Sequence, residues 1–578
     1  MKKTGSELLV YALEQIGVKY IFGIPGVHTT EIYDELNKSH LIEPILVTHE
    51  GGGSFIAVGV SCTSKSIGTL VIVPAAGIAN AMCGIGEAYL DGLPLLVISG
   101  STRRDIKQRY QLHQINHENF ARAITKKHFL IKNHAQIIPA IYEAFEVATK
   151  GEPGPVYVEI PVEIQLFRGE VSKMPLYLPS ISENKIDKDL IKQAAELLRN
   201  ARRPGIYVGW GAVDAVEYTK KIAELLVAPV CTTLQGKSSF PASHPFHTGF
   251  GFGPNSTPVC QATFKDIDAM LAVGVRFSEI GTGSYGATVP ENLIHVDINP
   301  EVFNTNYSAK IAIESDATKV LQMLSDELNK SIPLYRRNAD ELKQFIQNKK
   351  MVYLKEWKKT KKHDVVSPGY FFESLNKHAD HNTYFVVDDG LHTYLAAELL
   401  NINEGRHFIS PTDFNCMGFC VPAAIGVKLM NRDKKVVGIV GDGAFLMTGL
   451  ETITAVTHRL PVIYFIFHDG ELGQIAQFQE IALRRKTATV LGKLNIEGIA
   501  LATGAKFVSI NNDIELKQKM EEIFLMASGN VPVLVDVKID YSKKTYMTKG
   551  VAKTNFKRFP LNEKIRFITR AIKRYITG

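Results

Sequence analysis

The sequence lacks the features of a secreted or membrane-embedded protein. Its first residues, MKKTGSELLVYALEQIG, have neither the apolar core nor the cleavage site of a signal peptide, and they predict an amphipathic helix capped near Thr4 or Ser6. The longest uncharged run, residues 68–86, is interrupted by Pro74, Asn80 and several glycines, which favours a buried strand over a membrane span. The six cysteines are scattered and match neither a redox pair nor a zinc site. We therefore expect a soluble protein in a reducing, cytoplasmic compartment.

The charge distribution lacks the pattern of a nucleic-acid-binding protein. The net charge is +7, but residues 541–578 hold eleven lysines or arginines against one acid, so the rest is slightly negative. Basic and aromatic residues are not interleaved, so we expect no nucleic-acid partner and favour a small anionic substrate or cofactor. In the basic tail, isoleucines recur at the three- and four-residue intervals of an amphipathic helix, at Ile565, Ile568, Ile572 and Ile576. We favour a helix packed on its own protein over one that lies on a membrane.

Apolar, β-branched runs alternate with helix-length segments along most of the chain. The runs include EPILVTHE, GTLVIVP, LPLLVISG, PVYVEIP, PGIYVGWG, DAMLAVG, NLIHVDI, YFVVDDG, KVVGIVGDG, LPVIYFIFHDG and VPVLVDV. Short, fully apolar strands between helices predict parallel sheets covered on both faces. The fold class is therefore α/β, with three doubly wound parallel-sheet domains. We place them at residues 1–170, 187–337 and 367–540, with a Lys-rich linker at 338–364 and the basic tail at 541–578.

The strongest chemical signal is a glycine-rich turn after the run KVVGIV. Its glycines, Gly441 and Gly443, flank Asp442, and Ala444 follows; such a turn lets backbone N–H groups approach a phosphate at a helix start. Asp469 lies 27 residues after Asp442, about the length of a strand–helix–strand unit. Both carboxylates should therefore meet at the sheet edge where α/β proteins bind ligands. Oxygen ligands beside a phosphate suit Mg²⁺, and the alternative is a pair of helix-capping aspartates.

This arrangement resembles the signature of thiamine-diphosphate-dependent enzymes. The signature usually ends in two asparagines, where this chain has His468 and Asp469. The resemblance implies that Asp442, Asp469 and the backbone carbonyl of Glu471 hold Mg²⁺, and we expect the extra carboxylate to tighten metal binding. It also implies cofactor contacts from Leu472 and Gly473.

A second match lies in the first domain, in the segment VTHEGGG. There the resemblance implies that Glu50 contacts N1′ of the cofactor's aminopyrimidine ring and acts as a remote acid/base partner in removing the thiazolium C2 proton. The alternative is a glutamate that merely stabilises a helix start. Other matching segments carry the expected cofactor residues Pro74, Asn80, Gly390, Leu391, His392, Asn415 and Met417. By the resemblance, Met417 is the apolar wedge that bends the cofactor, and the carbonyl of Asn415 holds its 4′-amino group. The three domains would then be the pyrimidine-binding, central and diphosphate-binding domains.

The central domain resembles the acetohydroxyacid (acetolactate) synthase branch, through TTLQGK, a following His-Pro and GVRF. In that branch these stretches bind FAD. The resemblance implies a FAD site at Gly209, Gly211, Thr233, Leu234, Arg276, Asp297, Ile298 and Asp316. Two features argue against FAD: Trp210 stands where the synthases have glycine, and Ile280 replaces the second arginine of R-F-D-D-R.

Departures from the synthases concern the substrate. His113 stands where the synthases have an active-site glutamine, and we expect catalytic roles for His113 and Gln114. Ile475 stands where simple pyruvate decarboxylases carry a proton-donating glutamate, so release of a free aldehyde is disfavoured. Gln474 and Phe478 are expected to line the substrate pocket.

Together these residues predict a lyase or transferase acting on 2-oxo acids. The leading hypothesis is a carboligase that decarboxylates a 2-oxo acid, pyruvate in the first place, and transfers the acyl unit to a second carbonyl. The alternatives are a non-ligating decarboxylase, a flavin-linked pyruvate oxidase and a catalytically silent scaffold or regulator. The resemblance further implies a homodimer or homotetramer with active sites at the subunit interface, and a C-terminal segment that folds over the site entrance.

Overall fold

The structure is a computed structural model that describes residues 1–180, 186–331, 333–335, 337–359 and 364–577; residues 482 and 577 are described by backbone alone. Parts of the expected linker and tail, at 360–363 and 578, lie outside the described residues. Three six-stranded parallel sheets follow one another along the chain, each with helices packed against it. The predicted fold class of three α/β domains with parallel sheets is confirmed.

The first domain contains strands β1 (Lys2–Thr4), β2 (Tyr20–Gly23), β3 (Glu43–Leu46), β4 (Gly68–Ile72), β5 (Leu95–Ser101), β6 (Lys127–Leu130), β7 (Pro155–Pro161) and β8 (Arg168–Glu170). Its helices are α1 (Gly5–Gln15), α2 (Thr30–Leu36), α3 (Glu50–Thr63), α4 (Ala76–Leu90), α5 (His117–Ala121), α6 (Ile137–Thr149) and α7 (Val162–Leu166). The parallel sheet has the order β3-β2-β4-β5-β7-β6, and β1 pairs antiparallel with β8. Thr4 caps α1 as predicted, through a reciprocal capping box with Glu7.

The central domain contains strands β9 (Pro204–Val208), β10 (Val230–Thr232), β11 (His247–Phe250), β12 (Ala269–Val273), β13 (Asn292–Asp297) and β14 (Ile311–Glu314). Its helices are α8 (Lys188–Arg199), α9 (Val216–Leu226), α10 (Pro258–Phe264), α11 (Glu279–Thr282) and α12 (Ala317–Leu328). The sheet order is β11-β10-β9-β12-β13-β14. Helix α13 (Ala339–Trp357) leads to the third domain.

The third domain contains strands β15 (Tyr384–Val387), β16 (Phe408–Ile409), β17 (Val436–Gly441), β18 (Val462–Phe467), β19 (Lys506–Ile510) and β20 (Val533–Val537). Its helices are α14 (Pro368–His378), α15 (Leu391–Leu399), α16 (Cys420–Met430), α17 (Asp442–Thr448), α18 (Thr452–Thr457), α19 (Gly473–Leu483), α20 (Ile496–Thr503) and α21 (Leu516–Met526). In the order β16-β15-β17-β18-β20-β19, the central strand β18 (VIYFIF) is buried along its whole length. It is apolar on both sides because helices cover both faces of a parallel sheet.

Helix α3 packs against α16 and so joins the first domain to the third. Two glycines permit the close approach of the helix backbones. A Cβ atom on Gly59 would stand 2.2 Å from the carbonyl oxygen of Ala423, and one on Gly426 would stand 2.0 Å from that of Ile56. Since only glycine avoids these clashes, Gly59 and Gly426 are required for this contact between the two domains of one chain.

The basic tail forms two helices, α22 (Tyr546–Arg558) and α23 (Leu561–Thr577). Helix α22 lies against the third and central domains through the buried Met547, whose N–H donates to Glu398 and whose sulfur accepts from Asn255. Helix α23 packs on α19, but its isoleucine stripe (Ile565, Ile568, Ile572 and Ile576) stays about half or more exposed. Among the described helices, none combines the length and apolar character needed to cross a membrane.

Candidate functional site

A cavity of about 320 Å³ opens at the carboxyl edge of the third sheet. It lies beside the ends of three neighbouring strands, β15, β17 and β18, where ligands bind in open α/β sheets. All fifteen residues expected from the third domain line it: Gly390, Leu391, His392, Asn415, Met417, Gly441, Asp442, Gly443, Ala444, Asp469, Glu471, Leu472, Gly473, Gln474 and Phe478. Of the described residues, none from the first domain contributes to its wall.

Three helices begin at the cavity wall: α15, α17 and α19. The first N–H groups of a helix have no partner within it, and together they form an anion-binding surface. Gly390 has φ +151°, a conformation that favours glycine. A Cβ on Gly441 would stand 2.9 Å from the His392 ring, so glycine at this position leaves space for the ring. Burial lowers the pKa of His392 to about 3, and its Nε2 has no partner among the described residues, so a neutral ring nitrogen is available to a ligand.

Two carboxyl groups meet between β17 and β18. Oδ2 of Asp442 accepts the backbone N–H groups of Asp469 at 3.2 Å and Gly470 at 2.7 Å. Burial raises the pKa of both aspartates, and the Asp442 charge helps raise that of Asp469 to about 7. Since no cation of the described protein neutralises the pair closely, this donor set suits a divalent ion.

Asp442 and Asp469, the acid pair, are surrounded by few side chains that could add further metal ligands. The Glu471 side chain is held by Lys486, with both oxygens 2.7 Å from Nζ, so only its backbone is available as a metal ligand. His468 contacts Asp536 at 3.0 Å and stays 4.0 Å from Asp442. No cluster of three or more His, Cys, Asp or Glu side chains with metal-binding potential occurs among the described residues. Two carboxylates and one carbonyl would leave the remaining Mg²⁺ positions to phosphate oxygens and water.

The loop that carries Asn415 and Met417 is held from both sides. The buried Asp388 carboxylate accepts the N–H groups of Gly418 at 2.9 Å and Cys420 at 2.7 Å. Asn415 itself has φ +63°, a left-handed conformation uncommon for residues other than glycine. The turn therefore places Met417 at the cavity wall.

The first domain forms hydrogen bonds to the same loop through Glu87 and Asp91, whose carboxyl groups are buried. Glu87 accepts the N–H groups of Thr412 and Cys416, each at 3.1 Å, and Asp91 accepts that of Asp413 at 3.1 Å. Burial raises the pKa of both carboxyl groups. The two domains are thus fixed to each other next to the cavity.

The expected first-domain residues lie together at the carboxyl edge of their own sheet. Glu50 is the first residue of α3 and is buried, and Asn80 Nδ2 donates to its Oε2 at 2.9 Å. Pro74 follows β4, and His113 and Gln114 lie on the loop after β5. Within one chain, therefore, the Glu50 edge and the cavity are separate parts of the surface.

A smaller cavity of about 100 Å³ lies at the carboxyl edge of the central sheet. Of the residues expected to bind FAD, six line it: Gly211, Thr233, Leu234, Arg276, Asp297 and Ile298. Gly209 instead packs against Gly274, where a Cβ would stand 2.0 Å from the carbonyl oxygen, and the exposed Asp316 caps α12.

This central cavity does not fit FAD. Its volume is below the roughly 300–1,000 Å³ of ordinary ligand pockets. Four acids line it: Asp91, Glu152, Asp297 and Asp413. Arg276 is the single cation of its described lining, and its guanidinium is already paired with Glu152 and with Asp413. The two phosphates of FAD would meet a described lining whose single cation is already paired.

Comparisons with known proteins cover all three domains. The N-terminal TPP binding domain of thiamine pyrophosphate enzymes matches residues 3–120, the central domain matches 191–324, and the C-terminal TPP binding domain matches 388–537. The chain belongs to the thiamine pyrophosphate enzyme family. It is 30% identical to acetolactate synthase isozyme 3 large subunit of Escherichia coli (strain K12), over 94% of this chain and 96% of that protein. It is 32% identical to the probable acetolactate synthase large subunit of Methanocaldococcus jannaschii, over 93% of this chain and 92% of that protein.

The family match assigns the expected catalytic residues of the first domain and the cavity of the third domain to two different TPP binding domains. Glu50 and His113 fall in the N-terminal TPP binding domain, and the cavity falls mainly in the C-terminal one. The unpartnered His392 nitrogen, the converging helix starts and the acid pair fit a magnesium-bound diphosphate. The chain is therefore a thiamine-diphosphate enzyme.

The resemblance implied a C-terminal segment over the site entrance, but sequence reasoning named none of the residues that close the cavity from outside the third sheet. The tail supplies Tyr541, Met547, Thr548 and Val551, and the central domain supplies Glu279, Ile280 and Ser284. Besides that resemblance, the signal for the tail residues was the helical spacing of Met547, Thr548 and Val551, which the many surrounding lysines obscure.

Proposed function

We propose that this enzyme decarboxylates a 2-oxo acid, pyruvate in the first place, and transfers the acyl unit to a second carbonyl compound. The observation that carries the proposal is the cavity wall beyond the acid pair. There Ile475 and Phe478 are apolar, so the position where a decarboxylase holds a proton donor cannot give one. The names of the relatives, acetolactate synthases, support the same reaction.

When bound, thiamine diphosphate would supply a nucleophilic carbon at its thiazolium C2 and an electron sink for the loss of CO₂. Glu50 would hold a proton at N1′ of the aminopyrimidine, and Asn80 fixes the Glu50 carboxylate through the 2.9 Å hydrogen bond. Met417 would support the cofactor from the cavity wall, and the Asn415 carbonyl would accept a hydrogen bond from its 4′-amino group. Asp442, Asp469 and the Glu471 carbonyl would hold Mg²⁺ against the diphosphate. Because FAD does not fit the central cavity, we propose an enzyme without flavin.

We further propose that a second copy of the chain completes each site. Glu50 does not line the cavity of its own chain, so a cofactor in that cavity needs a Glu50 edge from elsewhere. Beside the cavity, an apolar surface formed by Leu446, Met447, Leu450 and Ile453 is 44–62% exposed. A contiguous apolar surface of this kind marks an interface. A homodimer, or a homotetramer built from two dimers, would cover it.

We also propose domain limits at 1–170, 187–337 and 367–540, and a closing role for α22, since Met547 and Val551 line the cavity. All six cysteines are free thiols, which suits a reducing, cytoplasmic compartment. A catalytically silent scaffold would not need Glu50, Asp442 and Met417 together.

Product analysis tests the proposed reaction. The enzyme is given pyruvate with thiamine diphosphate and Mg²⁺, with and without added aldehydes and ketones, and the products are measured by NMR. We expect acetohydroxy acids or 2-hydroxy ketones, with little acetaldehyde. Ile475→Glu, which adds a proton donor, should raise the share of acetaldehyde. Acetaldehyde or acetate as the main wild-type product would reject the carboligase in favour of a decarboxylase or an oxidase.

A further inference from the structure

Two histidines, His28 and His113, meet at the Glu50 edge. His28 lies on the loop after β2, and its ring meets the His113 ring edge-on, with centroids 5.2 Å apart. The loops are close to Glu50: a Cβ on Gly26 would stand 2.4 Å from Val73, and one on Gly77 would contact both Val73 and Glu50 Oε1. His28 and His113 therefore share the sheet edge that carries Glu50.

The backbone of His113 is held in a rare conformation. His113 has φ +65°, which is uncommon for any residue other than glycine and persists only where the surroundings enforce it. Its carbonyl oxygen lies 3.0 Å from Nε2 of the buried His117. Nδ1 of His117 lies 3.0 Å from Oε1 of Glu159. His117 thus connects the loop to a buried carboxylate.

The carboxylate at the end of this connection is ionised. Burial would raise the pKa of Glu159, but hydrogen bonds from His117, His128 and Ser101 lower it to about 2, so it is ionised at neutral pH. Nδ1 of His117 faces the Glu159 carboxylate and Nε2 faces the His113 carbonyl, so the ring bridges these two groups. A hydrogen-bonded link to an ionised carboxylate therefore holds the His113 loop.

His28 is more than nine-tenths buried, and its Nδ1 has no hydrogen-bond partner among the described residues. A buried, unpaired polar nitrogen is costly unless a ligand or a water satisfies it. Burial, with the neighbouring His113 and His117, lowers the pKa of His28. The ring is therefore neutral at neutral pH and offers one N–H to an oxygen acceptor.

We propose that His28 is a substrate-binding residue whose Nδ1 donates to the carboxylate or the 2-oxo oxygen of the 2-oxo acid, beside His113. The pair formed by His117 and Glu159 acts as a positioning element for the His113 loop. This inference rests on the proposed function, since it names residues that recognise the same substrate. It makes recognition depend on two loops of the first domain, whereas cofactor activation depends on Glu50.

The test of His28 compares two substitutions of similar size in the full-length enzyme with thiamine diphosphate and Mg²⁺. Asparagine can place an amide nitrogen where Nδ1 stands, and leucine fills the space without a donor. We expect His28→Leu to lower kcat/KM for pyruvate about 10- to 100-fold and His28→Asn to recover most of the loss. Exchange of the cofactor C2 proton, measured without substrate, should be unchanged in both. Wild-type kcat/KM in His28→Leu, or equal losses in the two variants, would overturn the proposal.

A second pair of variants tests the positioning element. His117→Gln cannot join Glu159 to the His113 carbonyl, and we expect a raised KM for pyruvate with normal C2 exchange. The control, His128→Gln, alters the other oxygen of the same carboxylate, 3.1 Å from His128 Nε2, without touching the loop. It should leave KM unchanged. Equal effects of both variants would show a general loss of structure and reject the positioning role. Failure of the proposed function is distinguishable, because the wild type itself would then form no product from 2-oxo acids.

Discussion

Oε1 of Glu398 accepts the backbone N–H of Tyr546 at 2.7 Å, at the first residue of the helix that covers the cavity. The same oxygen accepts the N–H of Met547 at 3.3 Å, and the other oxygen accepts the hydroxyl of Tyr353. Glu398 lies on α15, whose N-terminus forms part of the cavity wall. The carboxyl group therefore links the diphosphate side of the cavity to its cover.

This link predicts a pH-dependent stability. Burial raises the pKa of Glu398 from 4.5 to about 7, so between these values the folded protein holds a proton that the unfolded chain releases. The Glu398 contribution to stability is thus complete below about pH 4.5 and is lost as the pH rises through about 7. Glu398→Gln stays neutral and keeps an acceptor for Tyr546. We expect the thermal midpoint of the wild type, measured relative to that of this variant, to decrease as the pH is raised from about 5 to about 8. A constant difference would contradict the buried, titrating carboxyl group.

The acid pair predicts how the enzyme responds to magnesium. Asp469→Asn restores the amide that the family signature usually has, removes one negative charge and keeps an oxygen ligand. We expect full turnover in this variant at saturating Mg²⁺, with about a tenfold higher concentration needed for half-activity. The control variant Asp442→Ala removes a metal ligand, and no Mg²⁺ concentration should restore its activity. Magnesium titrations of activity compare the two, and an Asp469→Asn variant that binds Mg²⁺ as tightly as the wild type would contradict the expectation that the Asp469 charge tightens metal binding.

The third domain could be predicted from sequence because its chemistry is local. Gly441 ends β17, Asp442 and Asp469 follow β17 and β18, and the parallel sheet brings the strand ends together without further information. The same reasoning placed Glu50 at a helix start after β3. Strand-end residues need only the correct fold to meet.

Other features depend on contacts that strand patterns do not encode. Met547 and Glu279 reach the cavity from the tail and the central domain, and His28 meets His113 across two loops far apart in sequence. For FAD, the motif residues are present, but Glu152 pairs with Arg276 across a domain boundary. Motif matching reads residues one segment at a time and cannot detect such a neutralising contact.

The acidic central cavity predicts a colourless enzyme. The purified protein should show no flavin absorbance in the visible region, and added FAD should change neither activity nor thermal midpoint, because Arg276 is not available to its phosphates. Glu152→Gln, which frees the Arg276 guanidinium, is the matched variant most able to gain FAD affinity. A yellow wild-type protein that loses activity when its flavin is removed would contradict this account.

Completion of the site by a second copy can be measured directly by mixing two inactive variants. Glu50→Gln keeps an intact cavity but should lose C2 proton exchange and turnover, and Asp442→Ala keeps Glu50 but should lose the metal. Unfolding and refolding them together in equal amounts, or co-expressing them, allows subunits to exchange. If the site combines Glu50 of one copy with Asp442 of another, random mixed dimers should restore about a quarter of the wild-type sites. If Glu50 and Asp442 of the same chain form the site, the mixture will stay inactive, and that result would contradict the account.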